Sequence, residues 1–126
     1  MRSPFVAIID DDEALCSSLA DLMRSMGYRT ESFTSADALL TSSNLALFDG
    51  MIADIYMPGM SGLLLVRKLR ELGVMTPVIL ITALADRQLD SEATSVGAQS
   101  LLRKPFETKA LLDCVDRNLC NDRSPS

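Results

Sequence analysis

Short apolar runs alternate along this chain with longer segments in which apolar residues recur every three or four positions. The runs are short enough for strands, and the segments between them have the period of amphipathic helices. Strand-like runs cover residues 5–9, 29–33, 51–54, 78–82 and 100–103, and helical segments cover 15–26, 36–40, 63–72, 86–96 and 107–119. This alternation is typical of a parallel α/β sheet with one helix after each strand.

The order of the strands can be predicted from the same alternation. Crossovers between parallel strands are right-handed, which leaves few topologies for five βα units. We therefore predict an α/β fold of the flavodoxin-like (βα)5 type, with a central five-stranded parallel sheet of order 2-1-3-4-5 and helices on both faces. In this order the first and third strands are neighbours where the strand order reverses, and open α/β sheets bind ligands at that point.

Polar side chains stand at the ends of four of the predicted strands. They are Asp10, Asp11 and Asp12 after the first strand, Asp54 at the end of the third, Thr82 at the end of the fourth and Lys104 after the fifth. Because the carboxyl ends of parallel strands meet at one edge of a sheet, we expect these residues to share one site. Asp12 is interpreted differently, as the N-cap of the first helix.

The acidic residues of this set predict a magnesium site. Crowded carboxylates repel one another, and a bound divalent cation removes the conflict. Mg²⁺ prefers oxygen ligands and keeps several waters when one or two carboxylates hold it. We predict that Asp11 and Asp54 bind Mg²⁺ directly, that Asp10 binds through water, and that the backbone carbonyl of Tyr56 supplies a third protein oxygen.

Asp54 is also the candidate nucleophile. A carboxylate can accept a phosphoryl group and form an aspartyl phosphate. Phosphoryl transfer depends mainly on positioning and on neutralising charge. We expect Lys104 to pair with one phosphoryl oxygen and the Thr82 hydroxyl to donate to another, with help from the backbone N–H of Ala83.

Composition excludes several other classes of function. The 126 residues fit one domain, and a net charge of −5 without a basic stripe argues against direct nucleic-acid binding. The chain has neither an apolar run of eighteen residues nor a signal-peptide pattern, so we expect no membrane span and a cytoplasmic location. Histidine is absent, which excludes Ser-His-Asp catalysis and histidine-ligated metals. The three cysteines lack CxxC spacing and predict free thiols.

At these positions the chain resembles bacterial response-regulator receiver domains, which are CheY-like, and in its local pattern it most resembles receivers of the FixJ type. The specific part is the pattern Asp-x-x-Met-Pro-x-Met-x-Gly followed downstream by Lys-Pro-Phe. The matching stretches are residues 8–12, 54–62, 81–83 and 104–106. The similarity predicts a receiver domain over residues 1–120 and a tail or truncated linker over 121–126.

The resemblance implies a function in a two-component system. A receiver takes a phosphoryl group from a sensor histidine kinase or a phosphotransfer protein, here onto Asp54, with Mg²⁺ as cofactor. It catalyses only its own phosphorylation and dephosphorylation and is not otherwise an enzyme. The resemblance further implies that the face formed by the fourth helix, fifth strand and fifth helix changes partners, which would be an output domain, another protein or a second phosphorylated copy.

The resemblance assigns switch positions to Thr82, Ala83, Leu101 and Pro105. The Thr82 hydroxyl is expected to move toward the phosphoryl group, and the Lys104–Pro105 bond is expected to be cis. Receivers usually carry Tyr or Phe where this chain has Leu101, so a rotating aromatic ring cannot report the switch here. Bulky residues at Tyr56 and Leu84 are expected to exclude water and to slow loss of the phosphoryl group.

Three alternatives stay open. A degenerate receiver would act as a phosphorylation-independent interaction module. Such a receiver would lack an acid, the Thr or the Lys, and this chain has all of them. A phosphatase similar to haloacid-dehalogenase enzymes would carry a second Asp where this chain has Tyr56. A flavodoxin-like redox protein would need a Ser/Thr-rich phosphate loop after the first strand, where this chain has three acids.

Overall fold

A computed structural model describes residues 4–83, 86–104 and 107–121, with the side chains of the last helix described as far as residue 117. The described residues form one parallel sheet of order β2-β1-β3-β4-β5. The strands are β1 (Phe5–Ile9), β2 (Arg29–Phe33), β3 (Gly50–Asp54), β4 (Val78–Thr82) and β5 (Ser100–Arg103). The predicted fold class and strand order are confirmed.

One helix follows each strand. They are α1 (Glu13–Ser25), α2 (Ala36–Leu40), α3 (Gly62–Glu71), α4 (Gln88–Val96) and α5 (Thr108–Asn121), and a short 3₁₀ turn (Leu45–Leu47) precedes β3. Side-chain caps start the first three: Asp12 accepts from two amides of α1, Ser35 from one of α2 and Ser61 from one of α3. Asp12 is therefore the N-cap that the sequence predicts.

Alternate residues of the strands point to opposite faces of the sheet and build two apolar clusters. On one face, Ala7, Ile9 and Leu80 pack with the buried sides of α2, α3 and α4. On the other face, Val6, Ile8, Ile52, Ile79 and Ile81 pack with α1 and α5. Every residue of β3 and β4 is buried, which is the pattern expected of central strands covered by helices on both sides.

The structure differs from the sequence-based expectations at a few element ends. Leu72, the last apolar residue of the predicted amphipathic segment 63–72, is 64% exposed because it lies beyond Glu71, at the C-cap of α3. Helix α4 begins at Gln88 rather than at residue 86, and α5 spans 108–121 rather than 107–119. The boundary between domain and tail at residue 120 stays a prediction. None of the described helices has the length and apolar content required to cross a membrane.

Met26, the last apolar residue of the predicted segment 15–26, is 51% exposed because it lies beyond Ser25, at the C-cap of α1. Two cysteines and three apolar positions of α5 do contribute to the core. Cys16 and Cys114 are buried and take part in no disulfide. Leu111 and Val115 of α5 are buried, and Leu112 is partly buried against them. The side chains of Leu119 and Cys120 lie outside the described residues.

Candidate functional site

The ends of four strands bring the predicted site residues to one edge of the sheet. Strands β1 and β3 pair directly, and Asp54 at the end of β3 is paired with Ile81 of β4. Thr82, the next residue of β4, is paired with Arg103 of β5, so that Lys104 follows immediately. The backbone N–H of Lys104 donates to the Thr82 carbonyl at 2.7 Å, which ties the start of the β5–α5 connection to the end of β4.

Lys104 connects two of the carboxylates. Its Nζ donates to Asp54 Oδ2 at 3.0 Å and lies 3.6 Å from Asp10 Oδ2. The other oxygen of each carboxylate accepts a backbone amide: Asp54 Oδ1 from Tyr56 N–H at 3.1 Å, and Asp10 Oδ1 from Asp12 N–H at 3.0 Å. Each amide comes from the residue two positions later, so the local turn after each strand orients the carboxylate.

The acid cluster has the composition of a cation site. Asp10, Asp11 and Asp54 each offer a carboxylate oxygen, and these oxygens lie within 4.8 Å of one another. Asp10 and Asp54 are buried and Asp11 is exposed. The buried Oδ2 of Asp10 has no hydrogen-bond partner, although it lies near the Lys104 ammonium. A buried acceptor left without a hydrogen bond is costly, and a hard cation that takes oxygen ligands would satisfy it. The cluster therefore fits Mg²⁺.

Burial and neighbouring charges shift two pKa values in this cluster. Burial raises the pKa of Asp10 to about 6; the hydrogen bond from Asp12 opposes this shift, and the negative charge of Asp54 adds to it. Burial alone would lower the pKa of Lys104, but the hydrogen bond to Asp54 and the charges of Asp54 and Asp10 outweigh it and raise that pKa. Lys104 is therefore a firmly charged ammonium at neutral pH.

Thr82, Ala83 and Tyr56 lie at or just beyond the ends of the same strands. Thr82 is completely buried at the end of β4, and Ala83, directly after it, is exposed. Tyr56 directs its amide to Asp54 while its side chain is 54% exposed at the edge of the site. The carbonyl of Tyr56 as a metal ligand stays a prediction. Leu84 and Pro105, with the expected cis bond, lie outside the described residues.

A family model described as the response regulator receiver domain matches residues 6–116 of this chain. The chain belongs to the response regulator receiver domain family. Receiver domains of this family are parts of two-component systems, in agreement with the resemblance in the sequence.

Individual relatives agree with this assignment. The receiver is 37% identical over 114 residues to the response regulator protein TodT of Pseudomonas putida, covering 90% of this chain and 50% of TodT. It is 39% identical over 115 residues to the transcriptional regulatory protein FixJ of Azorhizobium caulinodans, covering 90% and 54%. The receiver thus spans about half the length of these curated relatives.

A solved structure extends the likeness to three dimensions. The chemotaxis protein CheY4 of Vibrio cholerae superposes with a TM-score of 0.86 at 28% identity, covering 93% of this chain and 99% of that one. The receiver therefore has a CheY-like flavodoxin fold.

The departure at Leu101 is visible in the packing of the receiver. Leu101 is half-buried, pairs with Leu80 of β4 and packs against the apolar cluster that includes Leu89 and Ala93 of α4. It is therefore a packing residue between β5 and the α4 side of the sheet. An aliphatic side chain has no ring or hydroxyl with which to report a change at Thr82.

Gly62 contributes to the site, although the sequence analysis gave it no role beyond its place in the motif over residues 54–62. A Cβ at this position would lie 2.5 Å from the backbone oxygen of Asp54 and 3.0 Å from Cα of Ile55. The amide of Gly62 also donates to the Ile55 carbonyl at 2.8 Å. The first turn of α3 therefore rests directly on the backbone that carries Asp54. The signal in the sequence was the position of Gly62 at the end of the Asp-x-x-Met-Pro-x-Met-x-Gly pattern.

Proposed function

We propose that this receiver is the phosphoacceptor of a two-component system and that Asp54 takes a phosphoryl group from the phosphohistidine of a sensor histidine kinase or phosphotransfer protein. The observation that carries the proposal is the contact of one ammonium with two buried acids, Lys104 with Asp54 and Asp10, at the carboxyl edge of the sheet. A lysine placed for solvation alone would not be held partly buried between two acids, because burying its charge costs free energy.

The carboxylate of Asp54 is prepared for attack by its two hydrogen bonds. The amide of Tyr56 holds Oδ1 and Lys104 holds Oδ2, so the orientation of the group is set before a donor arrives. An oxygen of Asp54 attacks the phosphorus, the P–O bond forms, and the P–N bond to the donor imidazole breaks with its electron pair returning to nitrogen. The ammonium of Lys104 then pairs with a phosphoryl oxygen, so its positive charge stays beside the negative charge of the transferred group.

Two hydrogen-bond donors and a metal ion complete the proposed arrangement. The Thr82 hydroxyl and the Ala83 N–H donate to the remaining phosphoryl oxygens. Bound Mg²⁺, held by Asp11, Asp54 and the Tyr56 carbonyl with Asp10 through water, would supply positive charge to neutralise the transferring group. The support for this ligand set is the cluster of three carboxylates and the unsatisfied Oδ2 of Asp10.

The output of the proposed phosphorylation is a change on the face formed by α4, β5 and α5. This face would bind an output domain, another protein or a second phosphorylated copy in the cytoplasm. The domain would catalyse only its own phosphorylation and dephosphorylation. Because Leu101 replaces the aromatic residue usual in receivers, the change would be transmitted through Thr82 and the position of α4.

Intact mass spectrometry after incubation with acetyl phosphate and Mg²⁺ tests the proposal. We expect the parent chain to gain the mass of one phosphoryl group and Asp54→Asn to gain none. Asp12→Asn is the matched control, because it removes a neighbouring acid that only caps α1 and Asn keeps the cap. A folded parent chain that gains no mass would favour the degenerate receiver that acts without phosphate.

A further inference from the structure

Helix α4 is attached to the rest of the domain by little apolar surface. Of its nine residues only Leu89 and Ala93 are buried, and most of the others are exposed. A cleft of about 490 Å³ opens on the side that faces α3, lined by Arg67, Arg70, Glu71, Ser95 and Val96. Few buried apolar contacts are typical of elements that open locally at low cost. Polar contacts at the two ends of α4 therefore have a large share in holding it.

The C-terminal end of α4 is fixed by a half-buried arginine of α3. Arg70 Nη1 donates to the carbonyls of Val74 and Thr76, each at 2.9 Å, and Nη2 donates to the carbonyl of Gly97 at 2.8 Å. One planar guanidinium thus joins the end of α3, the loop before β4 and the end of α4. Replacing it would leave three backbone carbonyls without these donors, which makes this end a firm attachment.

The N-terminal end of α4 is held by a different and more exposed arginine. Arg103 of β5 donates to both carboxylate oxygens of Asp90, at 3.3 and 3.1 Å, and to the carbonyl of Asp86 at 2.8 Å. The side chains of Arg103 and Asp90 are 33% and 55% exposed. Two further contacts hold this end: Asp86 Oδ1 accepts from the N–H of Gln88 at 2.9 Å, and Leu89 in the first turn is buried. The Arg103–Asp90 ion pair is in contact with solvent, and such a pair is weak and sensitive to salt.

We propose that α4 is a hinged helix, with Arg70 as its pivot at the C-terminal end and the Arg103–Asp90 ion pair as a latch at the N-terminal end. When the latch opens, the first turn of α4 separates from β5 while the end at Gly97 stays in place. Arg103 is paired with Thr82 across the sheet and precedes Lys104, so the latch is adjacent to the carboxylate site. The hinge is a property of the folded chain without phosphate and does not depend on the proposed phosphorylation.

Amide hydrogen exchange of the full chain, measured without phosphate donor, tests the latch. We expect Arg103→Gln to accelerate exchange at residues 88–92 by about two- to five-fold and to leave residues 95–98 unchanged. The parent should show the same acceleration at roughly 1 M salt, where screening is strong. Glu92→Gln is the matched control, because it removes one negative charge from α4 at a position with no ion pair among the described residues. Equal exchange at residues 88–92 in the parent and Arg103→Gln would overturn the proposal.

A double-mutant cycle separates the ion pair from the favourable effect of an acid near a helix N-terminus. Asp90→Asn should accelerate exchange in the parent background and should have a smaller effect in the Arg103→Gln background. Additive effects of the two substitutions would mean that Arg103 and Asp90 act separately and that no latch exists.

The pivot predicts the opposite pattern. Arg70→Met should accelerate exchange at residues 95–98 by more than about tenfold, and this effect should exceed the effect at residues 88–92. If Arg70→Met unfolds the chain, as judged by far-ultraviolet circular dichroism, Arg70→Lys provides the second variant, because it keeps the positive charge but lacks the planar fork that donates to all three carbonyls. Equal acceleration along the whole helix in these variants and in Arg103→Gln would show that α4 opens as one unit without a hinge.

Discussion

At the scale of single residues, Asp10 determines the electrostatics of the site. It is almost completely buried, one of its oxygens has no hydrogen-bond partner, and it shares the Lys104 ammonium with Asp54. A carboxylate in this position is costly to ionise, which is why its pKa is raised to about 6. A bound cation would relieve this cost, and the relief would favour cation binding at the site.

The raised pKa of Asp10 predicts a pH dependence of stability. Between the ordinary value of 3.8 and about 6 the folded chain binds more protons at Asp10 than the unfolded chain, so its contribution to the free energy of unfolding falls as the pH rises through this range. We expect Asp10→Asn to raise the free energy of unfolding by on the order of 2 kcal/mol at about pH 7.5 in EDTA. Urea unfolding measures this, and the gain should shrink toward about pH 4.

The control for this prediction is Asp11→Asn, which removes an exposed acid from the same cluster. Its effect on the free energy of unfolding without metal should be clearly smaller, because an exposed carboxylate has no desolvation cost to relieve. A destabilised Asp10→Asn at about pH 7.5 would contradict the burial argument.

Tyr56 is expected to prolong the life of the phosphoryl group. Its exposed side chain stands at the edge of the site, where it would restrict the approach of hydrolytic water. We expect loss of the phosphoryl group from Asp54 to take minutes or longer, and Tyr56→Ala to accelerate it by a few-fold, on the order of three. Intact mass after removal of acetyl phosphate follows the decay, and Leu64→Ala, an exposed apolar position on α3, is the control. A parent half-life of seconds would contradict the prediction.

At the scale of elements, the site depends on how closely α3 approaches the end of β3. Ser61 caps α3, and Gly62 places the first turn of the helix against the backbone of Asp54. The approach is possible only without a Cβ, because the atoms it would meet are backbone atoms that cannot move away. The position of the nucleophile is therefore coupled to the start of a helix that carries no catalytic side chain.

Gly62→Ala is expected to displace Asp54. We predict a loss of about 1–3 kcal/mol in the free energy of unfolding and slower phosphorylation by acetyl phosphate. Gly59→Ala in the same loop is the control: its φ of +82° makes alanine strained, but no atom lies within 4 Å of the added Cβ. Gly59→Ala should therefore lower stability and leave phosphorylation nearly unchanged. Equal phosphorylation of the parent and Gly62→Ala would contradict the steric argument.

At the scale of the whole molecule, the fold brings together groups that are far apart in the chain. Lys104 and Asp54 are 50 residues apart, and Asp54 stands next to Asp10 only because β1 and β3 are adjacent in the sheet. The order of the strands reverses between β1 and β3, and in sheets of this kind the reversal leaves a crevice at the carboxyl edge. The carboxylates lie at this point. The site therefore exists only in the complete sheet.

A cation bound at this edge should stabilise the whole domain. A ligand that binds only the folded chain raises the free energy of unfolding, by about 2.7 kcal/mol at 100 times its dissociation constant. We expect Mg²⁺ to stabilise the parent in urea unfolding and to have a much smaller effect on Asp54→Asn. Asp12→Asn, which keeps the cap of α1, should respond like the parent. Equal stabilisation of Asp54→Asn would place the bound cation elsewhere.

Local periodicity was sufficient to predict much of this receiver. Strand β2 has the predicted bounds, Asp12 and Ser35 cap the helices they precede, and Gly27 ends α1 with a φ of +91°. These features depend on neighbouring residues and on the alternation of periods 2 and 3.6. The fold class and the strand order followed from that alternation and the handedness of crossovers, and the motif around Asp54 was sufficient to indicate the family.

Tertiary structure alone decided the contacts between distant segments. Four features left no periodic signal in the sequence. They are the exposure of Leu72, the unsatisfied oxygen of Asp10, the close approach of Gly62 to Asp54 and the two arginines at the ends of α4. Each depends on distances of a few ångströms between elements, and those distances are set by how the helices pack on the twisted sheet. A pattern in the sequence specifies which face of an element is buried, but the packing decides which atoms meet there.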